Sequence, residues 1–328
     1  MQALPPVLAV VVIGRNEGER LRRCFDSVAG AHTRVVYVDS GSTDGSAALA
    51  RAMQAEVMEL DMSLPFTAAR ARNAGWRRAQ QIAPEAAFVQ FVDGDCEMLA
   101  NWLDIAHRHL HTHPGVAVVA GRLRERHPEH SIYNQLCDIE WDTPVGEARA
   151  VGGIAMMRIA ALAAVGGFRE DLIAGEEPEL CVRLRAAGWK VWRLPIDMAW
   201  HDAAMTRFSQ WWRRAVRAGF AFAEGAHLHG RAPERHWVRE SLSALAWGLA
   251  LPLVVVLLLP AVGAPALALL LLYPLQVLRL FLRETGPPKT RAARAFFLVL
   301  GKFAEALGQL RYALRRWRRA PAGLIEYK

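Results

Sequence analysis

From Ser241 to Leu278 the chain runs for 38 residues without one charged side chain. A helix needs about 20 apolar residues to cross a bilayer, so this stretch is too long for one span and long enough for two. Residues Leu251 to Leu259 (LPLVVVLLL) have no polar face to show water, which argues against a buried hairpin in a soluble protein. The break is expected between Pro260 and Pro265, where PAVGAP supplies turn residues and no charge. A two-helix transmembrane hairpin over 241–282 is therefore expected to divide the chain, with a domain-sized segment at 5–235 before it and a basic amphipathic tail at 283–328 after it.

Charge is distributed accordingly. The chain has 40 Lys and Arg against 32 Asp and Glu. Between Arg279 and Arg319 stand 11 basic and two acidic residues, a net +9, which leaves the remainder about neutral. A basic segment directly after an apolar run reads as the cytoplasmic flank of a span, drawn to anionic headgroups of the lipid bilayer, and no nucleic acid partner is expected. The loop between the two spans carries no Lys or Arg, so both termini are expected in the cytoplasm, on a multi-pass protein of the cytoplasmic (inner) membrane. Within the tail, Phe296, Leu300, Phe303, Leu307, Leu310 and Leu314 recur at spacings of four and three, the pattern of a helix lying in the interface. At the other end Pro5 and Pro6 precede a short apolar run to Ile13 with no basic residues before it, so a strand is expected and not a signal peptide. Cys24, Cys96, Cys137 and Cys181 form no CxxC pair and no zinc-ligand spacing, which suits a reducing compartment. The histidines at 107, 109, 111 and 113 are expected to be solvated at a helix end.

Between Val7 and Val92 short β-branched runs alternate with helical ones, the signature of a parallel sheet wrapped by helices. Leu8–Ile13, Arg34–Val38 and Phe88–Val92 are the expected strands, and Glu17–Val28 and Ala68–Ala83 the expected helices. Ligands in such folds bind beyond the carboxyl ends of the strands. Each strand here is followed by polar residues: Gly14-Arg15-Asn16-Glu17, then Asp39-Ser40-Gly41-Ser42-Thr43-Asp44-Gly45-Ser46, then Asp93-Gly94-Asp95. Two carboxylates at a strand end, joined by a glycine that permits a tight turn, suit a hard cation such as Mg²⁺ or Mn²⁺ bridging a diphosphate. No Gly-rich, Lys-bearing phosphate loop follows the first strand, which weighs against a nucleotidyltransferase.

The ordered set VVVIGRNE (10–17), VYVDSGSTDGS (36–46), ARNAG (71–75), FVDGD (91–95), Gly152–Arg158, Val165–Phe168 and AGEEPELCVRLRAAGW (174–189) resembles the motifs of glycosyltransferase family 2. The resemblance implies an α/β, GT-A (nucleotide-diphospho-sugar transferase, Rossmann-like) fold and an inverting, metal-dependent glycosyltransferase. Its donor would be a nucleoside diphosphate sugar, and its acceptor, given the hairpin, a membrane lipid or lipid-linked saccharide used in glycan or envelope polysaccharide synthesis. It also implies roles. Arg15, Glu17, Asp39, Asp44, Arg72 and Asp93 would bind the nucleotide sugar, and Asp95, with Asp93 and His201, the Mg²⁺ or Mn²⁺. Gly152, Gly153, Trp211 and Trp212 would lie on the acceptor side, and Glu177 would be the general base, with Glu176 as the alternative because the family's usual Glu-Asp is Glu-Glu here. A helix is expected from Pro178 to Ala187 behind them. Gln210-Trp211-Trp212-Arg213-Arg214 matches the family's processive Gln-x-x-Arg-Trp signature only in part, and Phe208, Trp212, Ala215 and Phe222 share a helical face that would pack on the core or graze the bilayer. A polyprenyl-phosphate sugar synthase and a catalytically silent nucleotide-binding membrane module are the alternatives.

Overall fold

The computed structural model of the protein describes residues 7–30 and 32–318; Pro5, Pro6, Arg319 and the tail beyond it lie outside the described residues. The chain divides into two compact units, Met1–Ala204 and Met205–Lys328.

The first unit is an α/β layer structure. Its elements in order are β1 (Leu8–Gly14), α1 (Glu19–Val28), β2 (Thr33–Asp39), α2 (Ser46–Ala52), β3 (Glu56–Glu59), α3 (Ala68–Ile82), β4 (Phe88–Asp93), β5 (Cys96–Met98), α4 (Trp102–Thr112) and β6 (Val116–Glu125). There follow α5 (Ile132–Glu140), β7 (Gly146–Glu147), β8 (Ala155–Arg158), α6 (Ile159–Ala164), α7 (Glu176–Ala186) and β9 (Lys190–His201). The strands form one mixed sheet in the order β3-β2-β1-β4-β8-β6-β9-β5, with β7 against β9. β2, β1 and β4 are parallel neighbours, while β8 runs antiparallel to both β4 and β6. Central β1 is apolar throughout and buried from Leu8 to Ile13, as a strand covered on both faces must be. Helix α3 lies close on it because residue 75 is glycine: a Cβ there would stand 2.3 Å from Val11 Cγ1. α1 begins at Glu19, two residues later than the periodicity suggests, because Asn16 (φ 56°) and Gly18 (φ 53°) turn the chain through the left-handed region. The parallel arrangement brings the ends of β1, β2 and β4 to one edge of the sheet.

The second unit is helical. α8 (Phe208–His229) is followed by α9 (Val238–Leu245), which continues through a π turn into α10 (Leu251–Val262). Gly263, at φ 68°, breaks the path within the expected Pro260–Pro265 turn, and a 3-10 stretch then leads into α11 (Leu272–Arg283). Val238–Val262 and Ala264–Arg283 are long and apolar enough to cross a membrane. The last helix, α12 (Pro288–Arg318), packs on α8 through glycines. A Cβ on Gly219 would lie 2.0 Å from Glu305 O, and one on Gly308 2.1 Å from Val216 O, so the two backbones touch as small-residue helix pairs do. Residues 205–235, expected with the catalytic domain, thus pack with the C-terminal helices. The packed face of α8 is that of Trp211, Val216 and Phe220, and the face carrying Phe208 and Trp212 is more open. On α12 the small residues Ala295, Gly301, Ala304 and Gly308 face inward, which turns Phe296, Leu310 and Leu314 outward.

Candidate active site

Three clusters form where the sheet's strands end. The first joins the loops after β1 and β2. Asn16 accepts from the Thr43 amide (2.7 Å) through Oδ1, and its own amide donates to Ser42 Oγ (3.0 Å). Asp44 accepts from Gly18 N (3.0 Å) and from the Ser46 hydroxyl (2.6 Å). The Ser46 hydroxyl is the main reason its carboxyl sits below the ordinary range. Asp39, buried at the end of β2, accepts from the amides of Gly41 (3.1 Å) and Ser42 (2.8 Å) and from the Tyr37 hydroxyl (3.1 Å). Both aspartates therefore shape the turn that follows β2. Arg15 is exposed beside it, and Glu17 is paired with Arg20 at 2.8 Å.

Arg72 is the centre of the second cluster. It stands in α3, 3% exposed, and its guanidinium reaches three carboxylates. Nη2 is 3.0 Å from Asp93 Oδ1, and Nη1 is 2.9 Å from both Glu176 Oε1 and Glu177 Oε1. Burial alone would favour loss of its proton, but Glu177, Asp93 and Glu176 more than offset that, and Arg72 stays cationic. Glu176 and Glu177 are the first two residues of α7, so the helix starts before the expected Pro178, after a left-handed Gly175 (φ 80°). Two carboxylates there also complement the helix dipole. Burial first and Glu176 second push the Glu177 carboxyl up to about 7, against the pull of Arg72. Gly153 makes room for the whole arrangement, since a Cβ would lie 2.1 Å from Arg72 Nη2 and 2.8 Å from Glu177 Oε1. Gly152 next to it faces open space.

The neighbour of Arg72 secures this geometry. Asn73 Oδ1 accepts from the Phe168 amide (2.9 Å) and Trp76 Nε1 (3.0 Å), while its Nδ2 donates to Phe168 O (2.8 Å) and Glu170 Oε1 (2.8 Å). The Gly166-Gly167-Phe168 turn approaches so closely that a Cβ on Gly167 would be 2.5 Å from Asn73 Oδ1. ARNAG and the Gly-Gly-Phe turn are two halves of one clamp, a contact that neither motif announces by itself.

The third cluster lies where β4 passes into β5, beside the end of β9. Asp95 Oδ2 is 3.2 Å from His201 Nε2, and Cys96 Sγ is 3.5 Å from Asp95 Oδ1. These three side chains offer ligand atoms within 4.8 Å of one another. Asp93 is turned to Arg72 and does not join them. Glu125, at the end of β6, was not expected here: it accepts from the amides of His127 and Ala203 and from Asn134 Nδ2, each at 3.1 Å. Burial raises its carboxyl. In the sequence it is one charge among Arg122, Arg124 and Arg126, with nothing to single it out. Trp141 packs edge-on against the His201 ring, centroids 4.8 Å apart.

Other expected residues fall elsewhere. Trp211 and Trp212 belong to the second unit, where Trp211 packs on Phe297 at 4.8 Å. Gln210 accepts from the amides of Thr206 and Arg207 at 3.0 Å each, as an N-terminal cap of α8. His107 and His109 are half-buried, not solvated, and stack on His111 and His113.

Residues 9–163 match the family profile of Glycosyl transferase family 2. The chain is 29% identical over 242 residues to the pre-mycofactocin glycosyltransferase of Mycobacterium tuberculosis, a match covering 70% of this chain and 48% of that protein. It thus spans about half the length of these mycobacterial relatives. Glycosyltransferase AglE of Haloferax volcanii is 23% identical over 334 residues, 96% of this chain and 99% of that one. Among solved structures, the mannosyltransferase PcManGT from Pyrobaculum calidifontis, in complex with GDP-Man and Mn²⁺, shares the fold with a TM-score of 0.64 at 23% identity, over 94% of this chain and 88% of that chain. Residues 9–163 thus match glycosyltransferase family 2 by profile, and the fold is that of a GT-A domain.

Proposed function

We propose that this protein is an inverting glycosyltransferase that moves a sugar from a nucleoside diphosphate sugar to a hydroxyl of a membrane-associated, lipid-linked acceptor. The observation that carries the reading is the Arg72 cluster. It ties Asp93, on the strand end facing the nucleotide loops, to Glu176 and Glu177 on the helix behind the acceptor-side glycines. Inversion needs an acceptor oxygen to attack opposite the leaving group and a carboxylate to take its proton. Glu177, lifted to about 7, is half ionised near neutral pH and suited to that work. Such a base favours a hydroxyl acceptor over a phosphate, which needs none.

Asp95 and His201 are the residues that would hold a divalent cation, with Cys96 beside them. Carboxylate and imidazole at 3.2 Å fit Mn²⁺ well and Mg²⁺ through the carboxylate. A cation so bound neutralises charge on the departing diphosphate. Asp39, Asp44 and Asn16 hold the loop against which the nucleotide would lie, with Arg15 at its rim, and Gly152 leaves the acceptor side open. The reading extends to topology: helices Val238–Val262 and Ala264–Arg283 cross the cytoplasmic membrane as a hairpin, with the catalytic domain and the basic tail on the cytoplasmic side.

UDP-, GDP- and dTDP-sugars, each offered with Mn²⁺, should divide into binders and non-binders by thermal shift, because a ligand of the folded state raises the melting temperature by mass action. One of them should then be turned over in membranes. A panel with no binder would overturn the reading.

A further inference from the structure

Among the described residues, a second trio of metal-ligating side chains comes together away from Asp95 and His201. His127, Glu129 and His130 offer ligand atoms that all lie within 4.8 Å of one another. They belong to the short 3-10 turn Pro128–His130, and the residue before it, between β6 and α5. Glu129 Oε1 is 3.6 Å from His127 Nδ1 and 3.5 Å from His130 Nε2. Both separations exceed a charge-assisted hydrogen bond, which runs at about 2.7–2.9 Å. They match the edge of a tetrahedral metal site, because ligands about 2.0–2.1 Å from a shared ion stand about 3.4 Å apart. A proton could bridge the carboxylate oxygen to one imidazole only, whereas a divalent cation answers all three groups.

The backbone of the turn is held in place. The His127 amide donates to Glu125 Oε1 (3.1 Å), and the His127 carbonyl accepts from Asn134 Nδ2 (3.0 Å) and the His130 amide (3.1 Å). Asn134 is itself buried, and its amide donates to Ser131 Oγ at 3.0 Å, the cap of α5. Binding an ion here would therefore order side chains and little else. Those side chains are open to solvent, so an ion can enter and water can complete its shell. The two rings stack, with centroids 4.4 Å apart and planes within 5°. Imidazole lone pairs lie in the ring plane, so an ion is taken up as the exposed His130 ring turns out of the stack about its side-chain torsions.

We propose that His127, Glu129 and His130 form a second cation site, separate from Asp95 and His201, for a transition metal of the zinc type. Two imidazole nitrogens and one carboxylate oxygen suit Zn²⁺, or Co²⁺ in its place, and do not suit Mg²⁺, which prefers an all-oxygen shell. The place in the fold gives the ion its role. Glu125, buried, holds His127 through one oxygen and the Ala203 amide through the other, two residues after His201. An ion on the turn thus braces, through one carboxylate, the chain that leaves the end of β9. The inference does not depend on the transferase reading.

Calorimetry with Zn²⁺ alone tests it, on the full-length protein in detergent carrying Asp95→Asn so that the first cluster is disabled. One Zn²⁺ per chain should bind with a dissociation constant tighter than about 100 µM, and excess Mg²⁺ should not displace it. Adding His130→Ala or Glu129→Gln, both at exposed positions, should weaken binding at least about tenfold, since even supporting contacts are worth that much to a metal site. With Co²⁺ as the probe, the absorption spectrum should lack a thiolate charge-transfer band, and His130→Cys should keep the ion and add one. Binding unmoved by His130→Ala and Glu129→Gln would put the ion on the α4 histidines and overturn the inference. A constant weaker than about 100 µM would be that of scattered surface histidines and would overturn it too. So would a thiolate band without the cysteine variant, which would place the ion at Cys96.

Discussion

Replacing Glu177 by Gln keeps the length and hydrogen-bonding shape of the side chain and removes its basicity. The carboxyl is lifted from 4.5 to about 7, mainly by burial and then by Glu176. Wild-type transfer should therefore fall about tenfold for each pH unit below 7, as the ionised fraction does. In Glu177→Gln, transfer should drop by about 10² to 10⁴ and the acidic limb should vanish, while nucleotide-sugar binding stays nearly unchanged. Stability should move the other way. Because the folded-state value lies above the unfolded one, the unfolded chain binds fewer protons between about pH 4.5 and 7, and ionising Glu177 costs stability over that window. The cost is absent below pH 4.5 and complete above pH 7, where it reaches at most about 3 kcal/mol. Urea unfolding should show Glu177→Gln more stable than wild type at pH 8 and equal to it at pH 4. A larger loss of transfer from Glu176→Gln would put the base one residue earlier. A variant less stable at pH 8 would mean that the ion pair with Arg72 outweighs desolvation, and the argument for a raised carboxyl would fail.

Gly153→Ala should cut transfer by at least about tenfold with the fold retained, because its Cβ would collide with Arg72 and Glu177; full activity would show that the cluster relaxes freely. Arg72→Gln should destabilise the first unit by about 3–5 kcal/mol, since it strands three carboxylates around a lost cation, and chemical denaturation reads this directly. Asp95→Asn or EDTA should abolish turnover, and Mn²⁺ titrated by isothermal calorimetry should bind wild type but not the variant; turnover indifferent to both would remove the metal role. Reporter fusions after residue 318 should be cytoplasmic, as the net +9 from Arg279 to Arg319 requires, and a periplasmic signal would invert the hairpin.

Much of the first unit could be read from the residues because the signals are local. β1 is an apolar run that stops at polar residues, β4 is one interrupted only by the buried Gln90, and α1 buries Leu21, Cys24, Phe25 and Val28, the residues its spacing picks out. The break between the two apolar helices at Gly263 was equally legible from proline and glycine. What escaped was contact between distant segments. Asn73 and Gly167 meet 94 residues apart in sequence, and nothing in either stretch names its partner. Asp93 and Asp95 read as one metal pair, yet β4 ends at Asp93 and the turn through Gly94 redirects the chain, so one side chain meets Arg72 and the other His201. α8 shows the same limit. Its aromatic face at Phe208 and Trp212 drew attention, but the helix packs through Gly219, where an absent side chain lets α12 approach.

The charges of the first unit's site bear on the cation by themselves. Asp93, Asp95, Glu176 and Glu177 stand against Arg72 and a His201 that is cationic only when protonated, so the site is negative before a donor arrives. A diphosphate would add further negative charge to a partly buried place, where the effective dielectric is low and repulsion correspondingly strong. Arg72 cannot answer it, because its guanidinium is already shared among three carboxylates. Two remedies remain: a divalent cation at Asp95, or protonation of Glu177 on donor binding. They separate by experiment. If the cation does the work, donor affinity rises with Mn²⁺ and varies little with pH between 6 and 8. If protonation does, affinity measured without metal falls as pH rises through 7, and Glu177→Gln removes that dependence while removing the base proposed for transfer.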